Sequence, residues 1–458
     1  MMEDRSRSVR LKLRPKRQQD TFGAQPKRTS SVSATMLAAI FGLTSAKEIQ
    51  RNDLPAMHWH PGRTIFRPIL THDLLSNYKL LITLTESTPT IKNEQQLFDS
   101  GEFAVDFSIS LDFCLIDKSL KVTGVSGFLG AQIVHQLLEA GYRVRGTVRS
   151  KKVAFVQEWY TQYGNKAEIV PLDDLVHGDY SAALKDVEAV IHNAAPLVGR
   201  SATHAEAIQA GVNGTRNILE QGEKAGVTKF SIVSSIATVW PPHRFGEKSI
   251  LTDQDWNPVT LEQGLDPSAD AGTVYAAEKT LAEQFAWKFA DEHPSIDVTT
   301  VNPTFFLGPF APEWRASEPG INALSTNMFI YDLLRRDGPL IWWPCVIDVR
   351  DVARGLVLSL AAPPSAKVGR KRILMSGEWL VPREVAAYVA EQRPELKDRL
   401  SEAWKNDTQN PTNIVDNSRA IEVLGLRFTD WRKTVLDAVD SVVATEKVWL
   451  AQGWEAHS

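Results

Sequence analysis

The first strong indication of the fold is the stretch SLKVTGVSGFLG, residues 119–130. Its three glycines, Gly124, Gly127 and Gly130, recur at every third position after a short strand-like segment. The residues that follow place their apolar side chains on one face of a helix, which Gly141 is positioned to end. Glycines spaced in this way permit a tight turn, a close approach of the backbone to a ligand and close packing of helix on strand. The stretch therefore predicts the strand, turn and helix that open a βαβ unit.

Short apolar runs and longer segments of helical period continue to alternate as far as residue 303, which is typical of βαβ units. Strands are predicted at YRVRGTV (142–148), AEIVPL (167–172), VEAVIHNAA (187–195), FSIVSS (230–235) and DVTTVNP (297–303). Helices are predicted between them around residues 204–225 and 274–292. With the first strand, these elements predict an α/β fold with a doubly wound (Rossmann) parallel sheet of six strands.

Three regions are expected along the chain. Residues 1–117 form an N-terminal extension that is partly disordered and has no assignable function. Residues 118–303 form the Rossmann domain. Residues 304–458 mainly form a smaller C-terminal lobe that binds substrate, with some return to the Rossmann sheet left open.

The strand before the glycine turn should lie at the centre of the sheet, where both of its faces are buried. Lys121 lies within this strand. We therefore expect Lys121 to reach solvent or an acidic partner. The alternative is that the junction near residues 118–121 is not the sequence that the fold was built with.

The composition indicates a soluble globular protein. Of the 458 residues, 43% are hydrophobic and 23% are charged, and the formal net charge is −4. The two cysteines, Cys114 and Cys345, lie far apart and outside any metal-binding spacing, so no disulfide framework and no metal site are predicted. No apolar run approaches the ~20 residues that a membrane span needs. We expect a cytoplasmic protein that binds neither membrane nor nucleic acid.

Basic residues concentrate at the N-terminus, where residues 1–30 hold nine Lys or Arg against three Asp or Glu. A solvated disordered arm is the expected interpretation. A mitochondrial address or a nucleic-acid patch are the alternatives.

The glycine turn is of the type that binds the pyrophosphate of a dinucleotide, because a helix N-terminus attracts phosphate. Where an NAD site usually places Asp or Glu, after the second strand, this chain has Thr147, Val148 and Arg149. A guanidinium can grip a 2′-phosphate that an acid would repel. NADP(H) is therefore favoured over NAD(H), with a solvated basic loop as the alternative. Asp174 is placed to accept a hydrogen bond from the adenine amino group, and Asp173 competes for that role.

The stretch VYAAEKTLAEQ, residues 274–284, is the second signal. Tyr275 and Lys279 stand four apart on a predicted helix, so they share a face. A free tyrosine has a pKa of about 10, and an adjacent ammonium stabilises the phenolate. Ser234 and Ser235 close the strand FSIVSS, where a hydroxyl can bond a substrate oxygen. The order of glycine turn, serines, tyrosine and lysine indicates a catalytic site.

These motifs resemble the extended short-chain dehydrogenase/reductases. The resemblance rests on TGVSGFLG, SSIATV, YAAEK and NPTFFLGP, and it covers about residues 120–452. It is closest to the dihydroflavonol reductase and cinnamoyl-CoA reductase-like branch, which includes fungal methylglyoxal and aldehyde reductases. The resemblance implies an NADPH-dependent reductase that transfers hydride to the carbonyl of an aldehyde or ketone and forms an alcohol.

The resemblance also implies roles for individual residues. Ser235 corresponds to the catalytic serine, Tyr275 to the proton donor and Lys279 to the lysine that binds the nicotinamide ribose. Asn213 lies at a similar place to an Asn that supports this lysine through water, with helix packing as the alternative. Trp240 lies where relatives place a substrate-contacting residue, and a packing role for it stays equally open.

The expected cofactor contacts come from the glycine turn, the basic loop, the end of the fourth strand, the catalytic helix and the NP turn. They are Thr123, Gly124, Gly127, Phe128, Leu129, Gly130, Arg149, Lys152, Asp174, Ala194, Ala195, Pro196, Lys279, Pro303 and Phe305. One departure from the family pattern lies beside them. The usual serine before the active-site lysine is Glu278 here, an outward or neighbouring charge that can alter the pKa values of the site.

The implied partner is a small carbonyl substrate. The protein itself is expected to be a monomer or a homodimer. A sugar-nucleotide epimerase or dehydratase of the same fold is one alternative. A non-catalytic NADP(H)-sensing protein is another.

Overall fold

The computed structural model describes residues 119–195, 203–240, 250–340, 345–406 and 414–454. The predicted N-terminal extension, residues 1–117, lies outside these ranges. The strands in chain order are β1 (Ser119–Thr123), β2 (Arg143–Val148), β3 (Ala167–Pro171), β4 (Ala189–His192), β5 (Lys229–Val233), β6 (Ile250–Leu251), β7 (Asp297–Pro303), β8 (Phe305–Leu307), β9 (Val346–Asp348), β10 (Lys371–Met375) and β11 (Ile414–Val415).

The α-helices alternate with these strands over most of the chain. In order they are α1 (Phe128–Glu139), α2 (Val153–Trp159), α3 (Ser181–Leu184), α4 (His204–Lys224), α5 (Leu261–Leu265), α6 (Ala271–Glu292), α7 (Met328–Leu333), α8 (Val349–Ser359), α9 (Ser365–Val368), α10 (Pro382–Gln392), α11 (Glu402–Lys405), α12 (Ser418–Leu424) and α13 (Trp431–Ala451). Across the described ranges, no helix has both the length and the apolar character that a membrane span requires.

Seven strands form one parallel sheet in the order β10–β7–β5–β4–β1–β2–β3. The chain winds outward from β1 through β2 and β3 on one side, and from β4 through β5, β7 and β10 on the other. This order confirms the predicted doubly wound fold. Its switch point lies between β1 and β4, where ligands of such sheets bind beyond the carboxyl ends of the strands.

The sheet has seven strands rather than the six predicted, because β10 returns to it from the C-terminal region. Its sequence, KRILM, begins with two basic residues and so lacks the apolar run expected of a buried strand. Both cations are buried against acids. Lys371 Nζ lies 2.7 Å from Asp297 Oδ2, and Arg372 Nε lies 2.6 Å from Glu283 Oε1. The ion pairs therefore allow a charged sequence to form a buried edge strand.

Further elements, most of them formed by residues after β7, lie outside the main sheet. Two short parallel pairs, β8 with β9 and β6 with β11, lie outside the main sheet. Helices α7, α10 and α13 share an apolar cluster that includes Phe329, Val385 and Val439. The division of the chain into a Rossmann domain and a smaller substrate lobe stays a prediction.

Lys121 does not reach solvent or an acid, so that expectation is wrong. Its side chain is fully buried, and Nζ has no hydrogen-bond partner within the described residues. The ammonium lies 5.6 Å from the centre of the Tyr180 ring, where the ring face attracts a cation. Burial lowers the pKa of Lys121 to about 7, and the positive charge of Arg145 adds to this effect. Lys121 is thus buried in the central strand, and its lowered pKa allows it to lose its charge near neutral pH.

Candidate active site

The glycine turn between β1 and α1 is packed too tightly for side chains at two positions. Gly124 has φ +70°, and a Cβ on Gly130 would lie 2.2 Å from the carbonyl oxygen of Gly124. A Cβ on Gly127, by contrast, would meet only that oxygen, at 3.4 Å, which leaves open space in front of the turn. Gly127 is the N-cap of α1, so the unpaired N–H groups of the first helical turn are available there. The turn therefore fits a pyrophosphate group.

Thr123 joins this turn to the end of β4. Its hydroxyl accepts hydrogen bonds from the backbone N–H groups of Asn193 and Ala194, both at 2.9 Å. The hydroxyl proton is then free to go to His192 Nδ1, 3.0 Å away. Burial, together with the nearby charges of Lys279 and Lys121, lowers the pKa of His192 to about 3, so the imidazole is neutral. Thr123 is itself fully buried, and its own contact with a cofactor stays a prediction.

Ala194 lies directly against the glycine turn, since a Cβ added to Gly124 would come within 3.1 Å of its Cα. Ala195 follows it, and Pro196 lies outside the described residues. A cavity of about 20 Å³ brings Ala194 and Ala195 together with Lys279, Glu278 and other residues of β5, α4 and α6. Ala194 and Ala195 therefore share one recess with the predicted catalytic lysine.

The basic loop follows β2, with Arg149 exposed and a 3-10 turn over Ser150–Lys152. Asp173 accepts hydrogen bonds from the Ser150 backbone N–H at 2.8 Å and from its hydroxyl, which lowers the pKa of Asp173. Asp174 instead accepts from the N–H groups of Val176 at 2.7 Å and His177 at 3.0 Å. Asp173 thus fixes the basic loop, whereas Asp174 closes its own turn. Contact of Asp174 with the adenine amino group, with Asp173 as the alternative, stays a prediction.

Tyr275 and Lys279 lie on α6, which begins after Asp270 caps its first turn. The ammonium of Lys279 is 5.6 Å from the centre of the Tyr275 ring, so the predicted pair does meet on one face. Only 12% of the Lys279 side chain is exposed. Burial alone would lower the pKa of Lys279, but the negative charge of Glu278 and the Tyr275 phenol outweigh it and raise the pKa above its usual 10.5.

The two serines after β5 have separate environments. Ser234 Oγ donates a hydrogen bond to Glu283 Oε2 at 2.5 Å, whereas Ser235 Oγ accepts one from the Ala237 N–H at 3.1 Å. Ser235 opens a 3-10 turn over Ile236–Thr238, and this turn packs against α6. The structure therefore places Ser235 beside the helix that carries Tyr275. The hydroxyl of Ser234 is instead hydrogen-bonded to a buried carboxylate.

Glu283 is a buried hub that the sequence did not identify. It accepts from Ser234, from Asn302 Nδ2 at 2.6 Å and from Trp287 Nε1 at 3.2 Å, and Arg372 pairs with it. Glu283 follows Lys279 by four residues on α6. Its position on the helix face of Tyr275 and Lys279 could therefore have identified it from the sequence.

Glu278 does not point outward: it is fully buried, with Oε1 3.4 Å from Lys279 Nζ. Its side chain lies over Gly211 of α4, where an added Cβ would be 2.4 Å from Glu278 Cγ. Asn213 follows Gly211 by two residues, which is about 200° around the helix. The structure thus turns Gly211, not Asn213, towards the lysine, and a role for Asn213 stays a prediction.

The segment after β7 approaches α1. Pro303 ends β7 and Phe305 begins β8, and the ring centres of Phe306 and Phe128 are 6.0 Å apart. Trp240 is 5% exposed and belongs to an apolar cluster with residues such as Leu374. Its packing role is thus observed, while contact with substrate stays a prediction.

Comparison with known proteins places this fold and site in a family. Residues 120–373 match the model of the NAD dependent epimerase/dehydratase family. An uncharacterized oxidoreductase of Schizosaccharomyces pombe is 34% identical over 348 residues, which cover 72% of this chain and 97% of that protein. The NADPH-dependent methylglyoxal reductase of Saccharomyces cerevisiae is 26% identical over 351 residues, which cover 72% and 99% of the two chains.

A solved structure agrees with this result at the level of the fold. The crystal structure of yeast methylglyoxal/isovaleraldehyde reductase complexed with NADPH matches with a TM-score of 0.63 and 24% identity, over 72% of this chain and 99% of that chain. The family match extends from the glycine turn to β10. This chain therefore belongs to the NAD dependent epimerase/dehydratase family, which confirms the predicted resemblance to the extended short-chain dehydrogenase/reductases.

Proposed function

We propose that this protein is an NADPH-dependent reductase that converts the carbonyl group of an aldehyde or ketone to an alcohol. The observation that carries this proposal is the placement of Tyr275 and Lys279 on one face of α6, beside the turn that Ser235 opens. The yeast relative, named as an NADPH-dependent methylglyoxal reductase, supports the same activity.

The chain offers a group for each part of the cofactor. The first turn of α1 would hold the pyrophosphate, Arg149 and Lys152 the 2′-phosphate, and Lys279 the nicotinamide ribose. Ala194, Ala195, Pro303 and Phe305 would contact the rest of the cofactor. NADPH, when bound, supplies hydride to the carbonyl carbon.

Side chains of the protein orient and protonate the carbonyl oxygen of the substrate. The Ser235 hydroxyl donates a hydrogen bond that orients the carbonyl oxygen, and the Tyr275 hydroxyl donates the proton that completes the alcohol. The Lys279 ammonium stabilises the phenolate that this transfer leaves, because opposite charges a few ångströms apart favour the charged form. Water or a second acid then restores the proton on Tyr275.

Tyr275→Phe tests this assignment, since it removes one hydroxyl and keeps the ring. We expect turnover of NADPH with a panel of aldehydes, diketones and ketones to fall about 10²–10⁴-fold, with the Kd for NADPH changed less than threefold. Tyr388→Phe, on α10, is the matched control and should retain full activity. Turnover within threefold of wild type in Tyr275→Phe would exclude the assignment.

The family name keeps a sugar-nucleotide epimerase or dehydratase as a second candidate. Such an enzyme regenerates its cofactor within one cycle, so NADPH would not be consumed. One NADPH oxidised per alcohol formed distinguishes the reductase. NADPH binding without turnover of any carbonyl in the panel would instead favour a non-catalytic NADP(H)-sensing protein. Cytoplasmic location, the lack of a nucleic-acid partner and a monomeric or homodimeric state stay predictions.

A further inference from the structure

Glu278 is a carboxylate enclosed within the candidate site. No part of its side chain reaches solvent, and within the described residues neither of its oxygens has a hydrogen bond. Its ion pair with Lys279, 3.4 Å between Oε1 and Nζ, is therefore the contact that compensates its charge. A buried carboxylate without such compensation would be strongly unfavourable.

The position of this carboxylate is fixed from the opposite side by α4. A Cβ on Gly211 would lie 2.4 Å from Glu278 Cγ and 2.8 Å from Oε1, so the side chain rests directly on the helix backbone. Any residue larger than glycine would displace it. Glu278 and Lys279 also line the same small cavity, together with Thr215 and Ser234. The carboxylate thus faces the site, and α4 blocks its movement on the side of Gly211.

Among the residues that the structure describes, no other charged group lining the cavity beside Lys279 competes with Glu278. His192, from β4, is neutral because burial holds its pKa at about 3. Glu283, one turn along α6, is already paired with Arg372. From α4 the cavity is lined by Gly211 and Thr215, and from the end of β5 by Ser234, none of which titrates near neutral pH. Within the described residues, Tyr275 also raises the pKa of Lys279, but it contributes less than Glu278.

We propose that Glu278 is a positioning residue for Lys279: its carboxylate holds the ammonium within the site and keeps it protonated. The catalytic consequence of this role rests on the proposed function, because Lys279 matters to turnover only if Tyr275 is the proton donor. The charge state of Lys279 itself can be measured without any substrate.

The physical basis is a balance between burial and pairing. Desolvation disfavours the charged form of a lysine, and a neutral amine could not stabilise a phenolate. Desolvation by burial is opposed mainly by the carboxylate of Glu278, with a smaller contribution from Tyr275, and the pKa of Lys279 is raised. Burial also raises the pKa of Glu278, which the ammonium opposes. Acidification should therefore uncouple the pair at a higher pH than it would an exposed pair.

The test is Glu278→Gln in the full chain, which removes the charge and preserves the shape. The matched control is Glu292→Gln, the same substitution at the exposed end of α6, where Glu292 pairs with Lys288 at the surface. The ¹³Cε resonance of Lys279 in labelled lysine is followed from pH 6 to 11 without cofactor, after assignment with Lys279→Arg. Circular dichroism shows that each variant is folded.

Wild type and Glu292→Gln should keep Lys279 protonated beyond its ordinary midpoint of 10.5. In Glu278→Gln the midpoint should fall by at least one pH unit, and the alkaline limb of kcat/KM should shift by the same amount. An unchanged midpoint in folded Glu278→Gln would overturn the proposal, and so would a wild-type midpoint well below 10.5.

If Glu278→Gln does not fold, the wild-type titration and Glu278→Asp still decide. Glu278→Asp keeps the carboxylate, so its Lys279 midpoint should stay above 10.5, and a midpoint below that value would contradict the proposal. A chain that reduces no carbonyl compound, yet shows the predicted titrations, would refute the proposed function and leave the Glu278–Lys279 relationship supported.

Discussion

Glu283 and Arg372 form a buried ion pair, 2.6 Å between Oε1 and Nε, that joins the helix of Tyr275 and Lys279 to the last strand of the sheet. The same carboxylate accepts hydrogen bonds from Ser234 and from Asn302. One acid therefore holds together α6, the end of β5 and the end of β7. The Arg372 guanidinium also donates to the carbonyl of Asp253 at 3.0 Å, so the pair fixes the loop beyond β6 as well.

Arg372→Met should destabilise the protein by about 3–5 kcal/mol, because it leaves the Glu283 carboxylate buried without its cation. Urea unfolding at pH 7 measures this change. Arg370→Met, two positions earlier, is the matched control. Arg370 pairs with Asp291 at the surface and should contribute less than about 1 kcal/mol. Equal losses in the two variants would show that the buried network does not hold the site together.

Lys121→Met should stabilise the protein at neutral pH, by on the order of 3–5 kcal/mol. Lys121 has a pKa of about 7 when folded, against the usual 10.5. Between these values the unfolded chain binds more protons, so the stability of the wild type rises with pH and the penalty disappears near pH 10.5. The advantage of Lys121→Met should therefore be full below pH 7 and vanish by pH 10.5.

Urea unfolding at pH 6 to 10.5 measures this dependence, with Lys166→Met, at an exposed lysine, as the control that should show none. A Lys121→Met variant less stable than wild type at pH 7 would mean that the contact with the Tyr180 ring outweighs the cost of desolvation.

Arg149→Ala should weaken NADPH binding about 10- to 100-fold, since hydrogen bonds to a charged group contribute about 1.5–3 kcal/mol. NADH, which lacks the 2′-phosphate, should bind almost as before. Arg143→Ala, at the opposite end of β2, is the control. Fluorescence titration of both nucleotides gives the two dissociation constants. A similar loss for NADPH and NADH would assign Arg149 to a part that the nucleotides share, and the basic loop would not be the source of selectivity.

Gly211→Ala should lower stability by about 1–3 kcal/mol, because the new methyl group would lie 2.4 Å from Glu278 Cγ and force the buried side chain to shift. Gly214→Ala, on the same helix, is the control. Its Cβ would meet Leu175 at an ordinary 3.4 Å, and alanine favours a helix over glycine. Thermal unfolding of both variants measures the difference. A stabilised Gly211→Ala would show that Glu278 can move away from α4.

The sequence predicted the parts of the fold that follow from local pattern. The glycine spacing, the alternation of strands and helices, and the four-residue interval from Tyr275 to Lys279 each depend on neighbouring residues. Strand β10 was not predicted, because the acids that pair with the buried Lys371 and Arg372 lie far earlier in the chain. The burial of Glu278 was not predicted for a similar reason, since it depends on Gly211, a residue of another helix.

Transfer of deuterium from labelled NADPH tests the proposed carbonyl reduction directly. The full chain is incubated with NADPH carrying deuterium at either face of nicotinamide C4 and with one carbonyl compound that it turns over, and the product is analysed by mass spectrometry. We predict one deuterium on the carbinol carbon of the alcohol from one of the two labelled cofactors, and loss of this product in Tyr275→Phe. Alcohol without deuterium from either cofactor, or no alcohol from any carbonyl compound in the panel, would show that the protein is not an NADPH-dependent carbonyl reductase.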